Sequence, residues 1–244
     1  MNRPVKSPMI CLAFEFTSDR RSVAISDGSQ RVLSQVFHDR GRTTPVFHMI
    51  EQALAEAQVT RASIERLAIS IGPGSYTGIR LAIAAAQGWH LATGVDVVAV
   101  DTFEALLHQT QRQAVAGPRV LGVNAQRQEF AVREWDGQGW AGPLHLESAD
   151  LLLQRIIAGQ AVFGPDLGAW IRGLPSTSTS TSTSTSSELA ARADALEAYP
   201  QASDVALLGA NNNPVPPETL APVYLREASF VKAPPHRHIS GFTD

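Results

Sequence analysis

A glycine-rich segment in the first third of the sequence has the residue types that could bind an anion. It reads Gly72-Pro73-Gly74-Ser75-Tyr76-Thr77-Gly78-Ile79-Arg80. Glycine adopts backbone angles barred to other residues and leaves room for an anion or another backbone. The free amides at the start of a following helix also favour negative charge. The candidate anion or nucleotide loop therefore comprises Gly72, Gly74, Ser75, Thr77 and Gly78.

The same segment lacks the marks of better-defined phosphate and nucleophile motifs. It has neither the Lys-Ser/Thr ending of a P-loop nor the spacing of a dinucleotide fingerprint. Pro73 and Thr77 stand where a nucleophile elbow around Ser75 needs glycine. A tight turn from a strand into a helix explains these glycines without any ligand. The residues alone leave ligand binding and a structural turn open as alternatives.

Residues for catalysis or metal binding are sparse. The histidines are scattered, without a His-x-x-x-His pair, so we expect them at the surface or in packing. The motif His236-Arg237-His238 fits either weak metal binding or an extended tail. Asp166 is either a nucleotide-lobe carboxylate or a turn residue, and Glu15 has no identified catalytic partner. We therefore predict no catalytic residue, no metal site and no resident cofactor.

Composition narrows the class of protein. The chain has 244 residues, 44% of them apolar, which is enough for a substantial core. A net charge of -3 argues against a chain that wraps nucleic acid by itself. Its single cysteine, Cys11, excludes an internal disulfide framework. No apolar run is long enough to span a bilayer, and the short run near the N-terminus is typical of a strand. We therefore expect a cytoplasmic protein without a membrane partner.

The first half of the sequence alternates strand and helix patterns in the order βββαβαβα. Thr44 and Pro45 predict a helix start, Gly94 a helix end, and Asp101 a cap. The valine-rich run before Asp101 predicts a central parallel strand. The predicted strands are Met9–Phe14, Arg21–Ser26, Arg31–Phe37, Arg66–Ile71 and Val95–Val100, and the helices are Pro45–Gln58, Thr77–Thr93 and Asp101–Arg112.

The second half predicts a smaller lobe. A hairpin-like pair, Arg119–Val123 and Glu129–Trp135, restarts the strand pattern. Residues 176–187 alternate serine and threonine without an apolar residue, so they cannot bury surface to offset their ordering entropy. We predict an N-terminal lobe over residues 1–115 and a C-terminal lobe over residues 116–244, with a Ser/Thr-rich loop at 176–187.

The helix after the glycine segment must be covered on most sides. Its polar residues form one narrow stripe, and the rest of its surface is apolar or small. Either the preceding helix packs on it, or both helices pack against a partner protein. The polar stripe consists of Thr77, Arg80, Gln87 and His90. The small residues of the same helix are Ala82, Ala85, Ala86 and Gly88. The residues of the first helix that could pack on them are Phe47, Ile50 and Leu54.

Several motifs together resemble one family. They are the glycine-rich segment, the alanine-rich helix, the valine-rich strand and Asp101-Thr102-Phe103-Glu104-Ala105-Leu106. The sequence is similar to the TsaB (formerly YeaZ) family, paralogues of the catalytic tRNA threonylcarbamoyltransferase TsaD. Residues Asn124-Ala125-Gln126-Arg127 resemble its Asp-Ala-Arg-like segment. Residues Pro222-Val223-Tyr224-Leu225-Arg226 resemble its C-terminal Pro-x-Tyr-Leu-Arg.

The resemblance implies an α/β, actin-like ATPase fold with two related lobes, each with a mixed sheet and helices. It implies a non-catalytic subunit for tRNA threonylcarbamoyladenosine formation. Its partners would be TsaD, bound through the first two helices, the small ATPase TsaE, and tRNA through the complex. A homodimer is expected when the chain is alone, and ATP only at the level of the complex. The implied interface residues are Phe47, Ile50, Leu54, Ala82, Ala86 and Trp89.

Two departures from the family pattern bear on nucleotide binding. Glu15-Phe16-Thr17 replaces the usual Asp-Thr-Ser after the first strand, and Asn124 replaces an aspartate. In an actin-like ATPase the first-strand carboxylate organises metal and nucleotide. A self-sufficient ATPase or kinase remains the alternative function. A metallopeptidase, which the family was once held to be, would need a metal pair that the sequence lacks.

Overall fold

A computed structural model describes residues 9–39, 43–174, 189 and 191–225. The first lobe contains one five-stranded sheet in the order β3-β2-β1-β4-β5. Strands β1 to β3 form an antiparallel meander, while β4 and β5 run parallel to β1. The predicted order βββαβαβα is confirmed. The elements are β1 (Cys11–Glu15), β2 (Arg20–Ser26), β3 (Val32–Asp39), α1 (Val46–Ala57), a 3-10 turn (Arg61–Ser63), β4 (Arg66–Ser70), α2 (Tyr76–Thr93), β5 (Asp96–Val100) and α3 (Thr102–Arg112).

The second lobe repeats the start of this pattern. Its sheet has the order β8-β7-β6-β9, with an antiparallel meander from β6 to β8 and β9 parallel to β6. The elements are β6 (Arg119–Asn124), β7 (Glu129–Trp135), β8 (His145–Ser148), α4 (Ala149–Ile157), β9 (Val162–Phe163), α5 (Leu167–Arg172), a 3-10 turn (Ala193–Leu196), α6 (Ala202–Asn211) and a 3-10 turn (Pro217–Thr219).

The two faces of the first sheet pack differently. One face presents large apolar residues such as Phe14 and Ile69 to α1 and α2. The other presents small residues, including Ala13 and Ala68, to α6. A Cβ atom at Gly209 of α6 would overlap the side chain of Ala68. Helix α6 therefore lies unusually close to the sheet, and this late helix completes the core of the first lobe.

Two details of the predicted elements are wrong. Strand β5 lies at the edge of the sheet and is not central. Its valines are nevertheless buried, because Val97 joins the core beneath α1 and α2 while Val98 joins the core beneath α6. The predicted cap Thr44 makes no side-chain cap, since α1 begins after Pro45 and only the carbonyl of Thr44 accepts the Val46 amide.

Several sequence predictions fall outside the described residues. The Ser/Thr-rich stretch at 176–187 and the motif His236-Arg237-His238 are among them. The predicted boundary between residues 115 and 116 stays a prediction, although α6 shows that the C-terminal part of the chain returns to the first sheet. Within the described ranges, no helix is both long and apolar enough to cross a membrane.

Candidate functional site

The glycine-rich loop joins β4 to α2 and packs against the end of β1. Gly72 has a φ of 105°, and its carbonyl accepts the Thr102 amide at 2.9 Å. A Cβ atom at Gly78, in the first turn of α2, would overlap the carbonyl oxygen of Phe16. A Cβ atom at Gly74 would overlap the carbonyl of Thr17 in the same way. Gly74 and Gly78 therefore allow the backbone of the loop to lie close to the backbone that follows β1.

Some of the loop's polar groups are already engaged within the chain. The Ser75 amide donates to the Thr17 carbonyl at 2.7 Å. The Ser75 hydroxyl accepts the Gly78 amide at 3.3 Å and caps α2. Thr77 is exposed and faces the space between the lobes. The anion role of this loop stays a prediction, and the engagement of its amides counts against it.

A cleft of about 500 Å³ separates the loop from the second lobe. Hydroxyls, amides and two carboxylates line it, and no lysine or arginine of the described chain does. Its electrostatic character is therefore unfavourable for a triphosphate without added cations. The polar lining residues are Thr17, Ser18, Asp19, Ser75, Tyr76, Thr77, Asn124, Gln126 and Asp166.

Asp166 is a turn residue, as one of its two interpretations predicted, and its role as a nucleotide-lobe carboxylate stays a prediction. It lies in the turn before α5 with a left-handed φ of 57°, and it also lines the cleft. Its Oδ1 atom accepts the hydroxyl of Tyr199 at 2.9 Å. This carboxylate is thus held in place by the fold on the second-lobe side of the cleft.

Glu15 does not face the cleft. Its side chain is fully buried, and its Oε1 atom accepts the Thr17 amide at 2.6 Å and the Thr17 hydroxyl. Its Oε2 atom has no partner among the described residues. Burial raises the pKa of Glu15, although the Thr17 hydrogen bonds oppose the shift. A desolvated carboxyl with no access to the cleft is poorly placed to organise a metal or a nucleotide.

Phe16 also points away from the cleft. Its ring is fully buried and stacks on Phe14 with centroids 5.8 Å apart. It therefore does not obstruct a ligand sterically. Asn124 does line the cleft, where its Oδ1 atom accepts the Gln126 amide at 2.8 Å.

An apolar groove of about 470 Å³ lies between α1 and α2. Phe47 forms one wall and is 79% exposed, and the half-buried Trp89 forms another. An ion pair of Glu51 with Arg61, at 2.6 Å, lies on its rim. The small residues lining it are Ala84, Ala85, Gly88 and Ala92. Large exposed apolar surfaces of this kind mark protein contacts more often than scattered apolar residues do.

Four of the six predicted interface residues are corrected. Leu54, Ala82 and Ala86 lie in the core between the helices and the sheet. Ile50 is 2% exposed and reaches only the floor of the groove. Their helical spacing places them on the inner side of the α1–α2 layer, where they support the surface from beneath. Phe47 and Trp89 remain at the groove. Whether the groove binds a partner stays a prediction.

Two residues of the polar stripe of α2, Arg80 and Gln87, contact a segment that lies far away in the sequence. We call residues 213–225 the C-terminal strap. Gln87 donates to the Pro217 carbonyl at 2.9 Å, and the Arg80 Nε atom donates to the Tyr224 hydroxyl at 3.2 Å. The Tyr224 ring stacks on Tyr76 with centroids 5.7 Å apart, and the Arg80 guanidinium lies 4.1 Å from the Tyr76 centroid.

The histidines of the described chain serve packing or surface roles. His90 contacts the Val95 carbonyl at 2.8 Å and His108 pairs with the buried Asp204 at 2.7 Å. Arg112 also pairs with Asp204, at 2.9 Å. No group of three or more histidine, cysteine, aspartate or glutamate residues in the described chain has a geometry that could hold a metal ion.

Comparison with known proteins gives one consistent family. The profile described as "TsaD: tRNA N6-adenosine threonylcarbamoyltransferase" matches residues 42–142. The tRNA threonylcarbamoyladenosine biosynthesis protein TsaB of Escherichia coli is 25% identical over 171 residues, covering 66% of this chain and 74% of the relative. The protein of the same name from Buchnera aphidicola (Schizaphis graminum) is 28% identical over 119 residues, covering 48% and 56%. The chain spans about half the length of the first curated relatives that it matches.

Similarity to a solved structure covers more of the chain than the sequence matches do. YeaZ from Pseudomonas aeruginosa superposes with a TM-score of 0.64 at 21% identity, covering 88% of this chain and 99% of that one. At this identity the likeness concerns the fold. The predicted class, an actin-like ATPase fold with two related α/β lobes, is confirmed, as the repeated sheet topology shows. The matching sequences, the matching fold and the motifs of the loop all support similarity to the TsaB/YeaZ family.

Proposed function

We propose that this protein is a non-catalytic subunit for the formation of threonylcarbamoyladenosine on tRNA, and that it binds a catalytic TsaD-type threonylcarbamoyltransferase through the α1–α2 groove. The relatives named TsaB support the pathway. The observation that carries the docking role is the groove itself, whose lining is almost wholly apolar and whose Phe47 wall is exposed.

The cleft supports the non-catalytic part of the proposal. Its described lining offers Asp19 and Asp166 and no cationic side chain, whereas an ATPase needs positive charge or metal around its phosphates. Glu15, which the alternative function would use, is sealed beneath the loop. No observation favours the alternative of a self-sufficient ATPase or kinase.

The remaining partners follow from the family. We propose that TsaE and tRNA join through the complex, that ATP acts at that level, and that the setting is the cytoplasm. When the catalytic subunit is absent, the same groove exposes apolar surface to water, which is unfavourable. A homodimer that buries this surface is therefore expected.

The experiment that tests the docking role uses Gly88→Arg. Gly88 lies exposed in the groove, and a Cβ atom there would meet nothing within 4 Å. An arginine should therefore leave the fold intact while filling the groove with a charged side chain. We expect affinity for the catalytic paralogue, measured by titration calorimetry and size-exclusion chromatography, to fall at least about 100-fold.

The matched control is Gly142→Arg, which also adds an arginine where a Cβ atom would meet nothing. It should bind the paralogue as the wild type does. Wild-type affinity in Gly88→Arg, with an unchanged melting temperature in both variants, would contradict docking through the groove. Substitution of Ile50 or Ala86 would be a poor test, because both side chains are buried.

A further inference from the structure

Three carboxyl side chains are buried in the part of the chain that the structure describes, and one of them lacks a basic partner. Glu147 lies 2.9 Å from the Arg155 Nε atom, and Asp204 lies 2.9 Å from the Arg112 Nη1 atom. Glu15 is as deeply buried as Asp204, yet no basic side chain of the described ranges forms an ion pair with it. Buried carboxylates are normally paired, so Glu15 is the exception.

The polar neighbours of Glu15 cannot balance a negative charge. Its Oε1 atom accepts the amide and the hydroxyl of Thr17, while its Oε2 atom has no partner among the described residues. Ser22 is its neighbour on β2, and Ser70 on β4 places a further hydroxyl nearby. Its charged neighbour, Asp204 on α6, has the same sign and adds to the rise that burial causes in the pKa of Glu15. An ionised Glu15 would therefore be both desolvated and repelled.

Asp204 is stabilised in its charged form by two basic residues of α3. Its Oδ1 atom lies 2.7 Å from the Nδ1 atom of His108 and 2.9 Å from the Nη1 atom of Arg112. Asp101, the carboxyl that caps the same helix, accepts a backbone amide. Because basic groups adjoin Asp204 and none pairs with Glu15, a single negative charge in this region belongs to Asp204 and the proton belongs to Glu15.

Glu15 lies where three parts of the first lobe meet. Strand alternation places it on the sheet face that packs against α6. At the start of that helix, the Ser22 hydroxyl accepts the Ala202 amide at 2.9 Å. Thr17, which Glu15 holds, lines the cleft and accepts the Ser75 amide through its carbonyl. A charge on Glu15 would thus act on the start of α6 and on the turn that supports the glycine-rich loop.

We propose that Glu15 is a proton-binding site of the folded protein, which holds its proton at neutral pH and loosens the start of α6 when it ionises at higher pH. The un-ionised acid needs no counter-charge and so tolerates burial. Ionisation adds a second negative charge to a region that already buries Asp204, and water must enter to solvate it. The start of α6 can yield because no side-chain hydrogen bond caps it. This pH switch is independent of the proposed partner.

The direct test is ¹³C NMR of the full chain with glutamate labelled at the side-chain carboxyl carbon. At about pH 7 we expect one glutamate signal of an un-ionised acid, which Glu15→Gln abolishes and the exposed control Glu56→Gln retains. Labelled glutamate leaves out the aspartates, including Asp101, whose pKa burial also raises. Absence of such a signal in the wild type would overturn the proposal, even if the Glu15→Gln variant failed to fold.

Hydrogen exchange read by mass spectrometry tests the switch itself. The proton is lost as pH rises through the folded-state pKa, so opening of α6 should increase with pH. Between about pH 6 and about pH 9, we expect the opening of the first α6 turn, corrected for intrinsic exchange, to rise at least about threefold in the wild type. Glu15→Gln should abolish this rise, and Glu56→Gln should retain it. A wild type without the rise, or an equal rise in Glu15→Gln, would overturn the switch.

Discussion

The two lobes share one topology and differ in what their outer helices expose. In both, an antiparallel meander of three strands is followed by a helix, a parallel strand and a second helix. In the first lobe the second helix, α2, has 18 residues and borders the apolar groove. Its counterpart α5 has 6 residues. The apolar groove therefore lies on the copy of the repeat whose second helix is long.

The lobes also share a device that ties strand to helix. Gly78 lies where a Cβ atom would overlap the Phe16 carbonyl, just after β1. In the second lobe, Gly164 lies where a Cβ atom would overlap the Gly122 carbonyl in β6. Each glycine follows the parallel strand of its lobe and lets the chain pass closely over the first strand. These glycines thus serve packing in both lobes.

Gly78→Ala is expected to have the largest effect on stability, and it tests whether both lobes depend on a closely packed glycine. Because the added methyl group meets backbone and not a flexible side chain, we expect a loss of about 3 kcal/mol in the free energy of unfolding. Gly164→Ala should lose a similar amount if the device is shared. Urea denaturation followed by circular dichroism measures both, and a neutral result for either glycine would separate the lobes.

Gly88→Ala, in the same helix as Gly78, should act in the opposite direction. Its Cβ atom meets nothing within 4 Å, and alanine is the better helix former. We expect a gain of about 0.5 to 1 kcal/mol in the free energy of unfolding. The same denaturation experiment checks it, with Gly78→Ala as the matched substitution. A loss of stability would show that the groove is less open than the structure shows.

The smallest expected effect is a change in the pH dependence of stability at Glu15, the last residue of β1. The equivalent strand of the second lobe, β6, ends in the exposed Asn124. Burial raises the pKa of Glu15 above its ordinary value of 4.5. Stability from this group is thus complete below the unfolded-state pKa and falls as pH rises through the folded-state pKa.

Glu15→Gln removes this fall while retaining an acceptor for Thr17. The variant should be more stable than the wild type at about pH 8, and the difference should shrink towards about pH 4. Melting temperatures over this range measure it, with Asp19→Asn as an exposed control. A constant difference at all pH values would mean that Glu15 does not titrate in the folded state.

The sequence predicted local elements better than the surfaces they form. The sequence predicted the C-terminal end of α2 from Gly94 and the N-terminal end of α3 from Asp101. The structure confirms both, because Gly94 is a left-handed C-cap and the Phe103 amide donates a hydrogen bond to the Asp101 side chain. The valine run predicted burial of β5 on both faces. It could not reveal that β5 has a strand on one side only, because burial arises from the helices above and below it.

The interface prediction failed in part for a geometric reason. Helical spacing shows that Phe47, Ile50 and Leu54 share a face of α1, but not which edge of that face meets the sheet. The structure places Ile50 and Leu54 inside and Phe47 outside. The stacking of Tyr76 on Tyr224 was equally hidden, because the two residues stand far apart in sequence and no local pattern joins them.

The C-terminal strap has a consequence for the order of assembly during synthesis. The strap contacts Gln87 and Arg80 of α2 through Pro217 and Tyr224, and α6 covers the opposite face of the same sheet. The lobe that is translated first therefore cannot close its core until nearly the whole chain has left the ribosome. A chain that ends before α6 leaves the small-residue face of the first sheet uncovered.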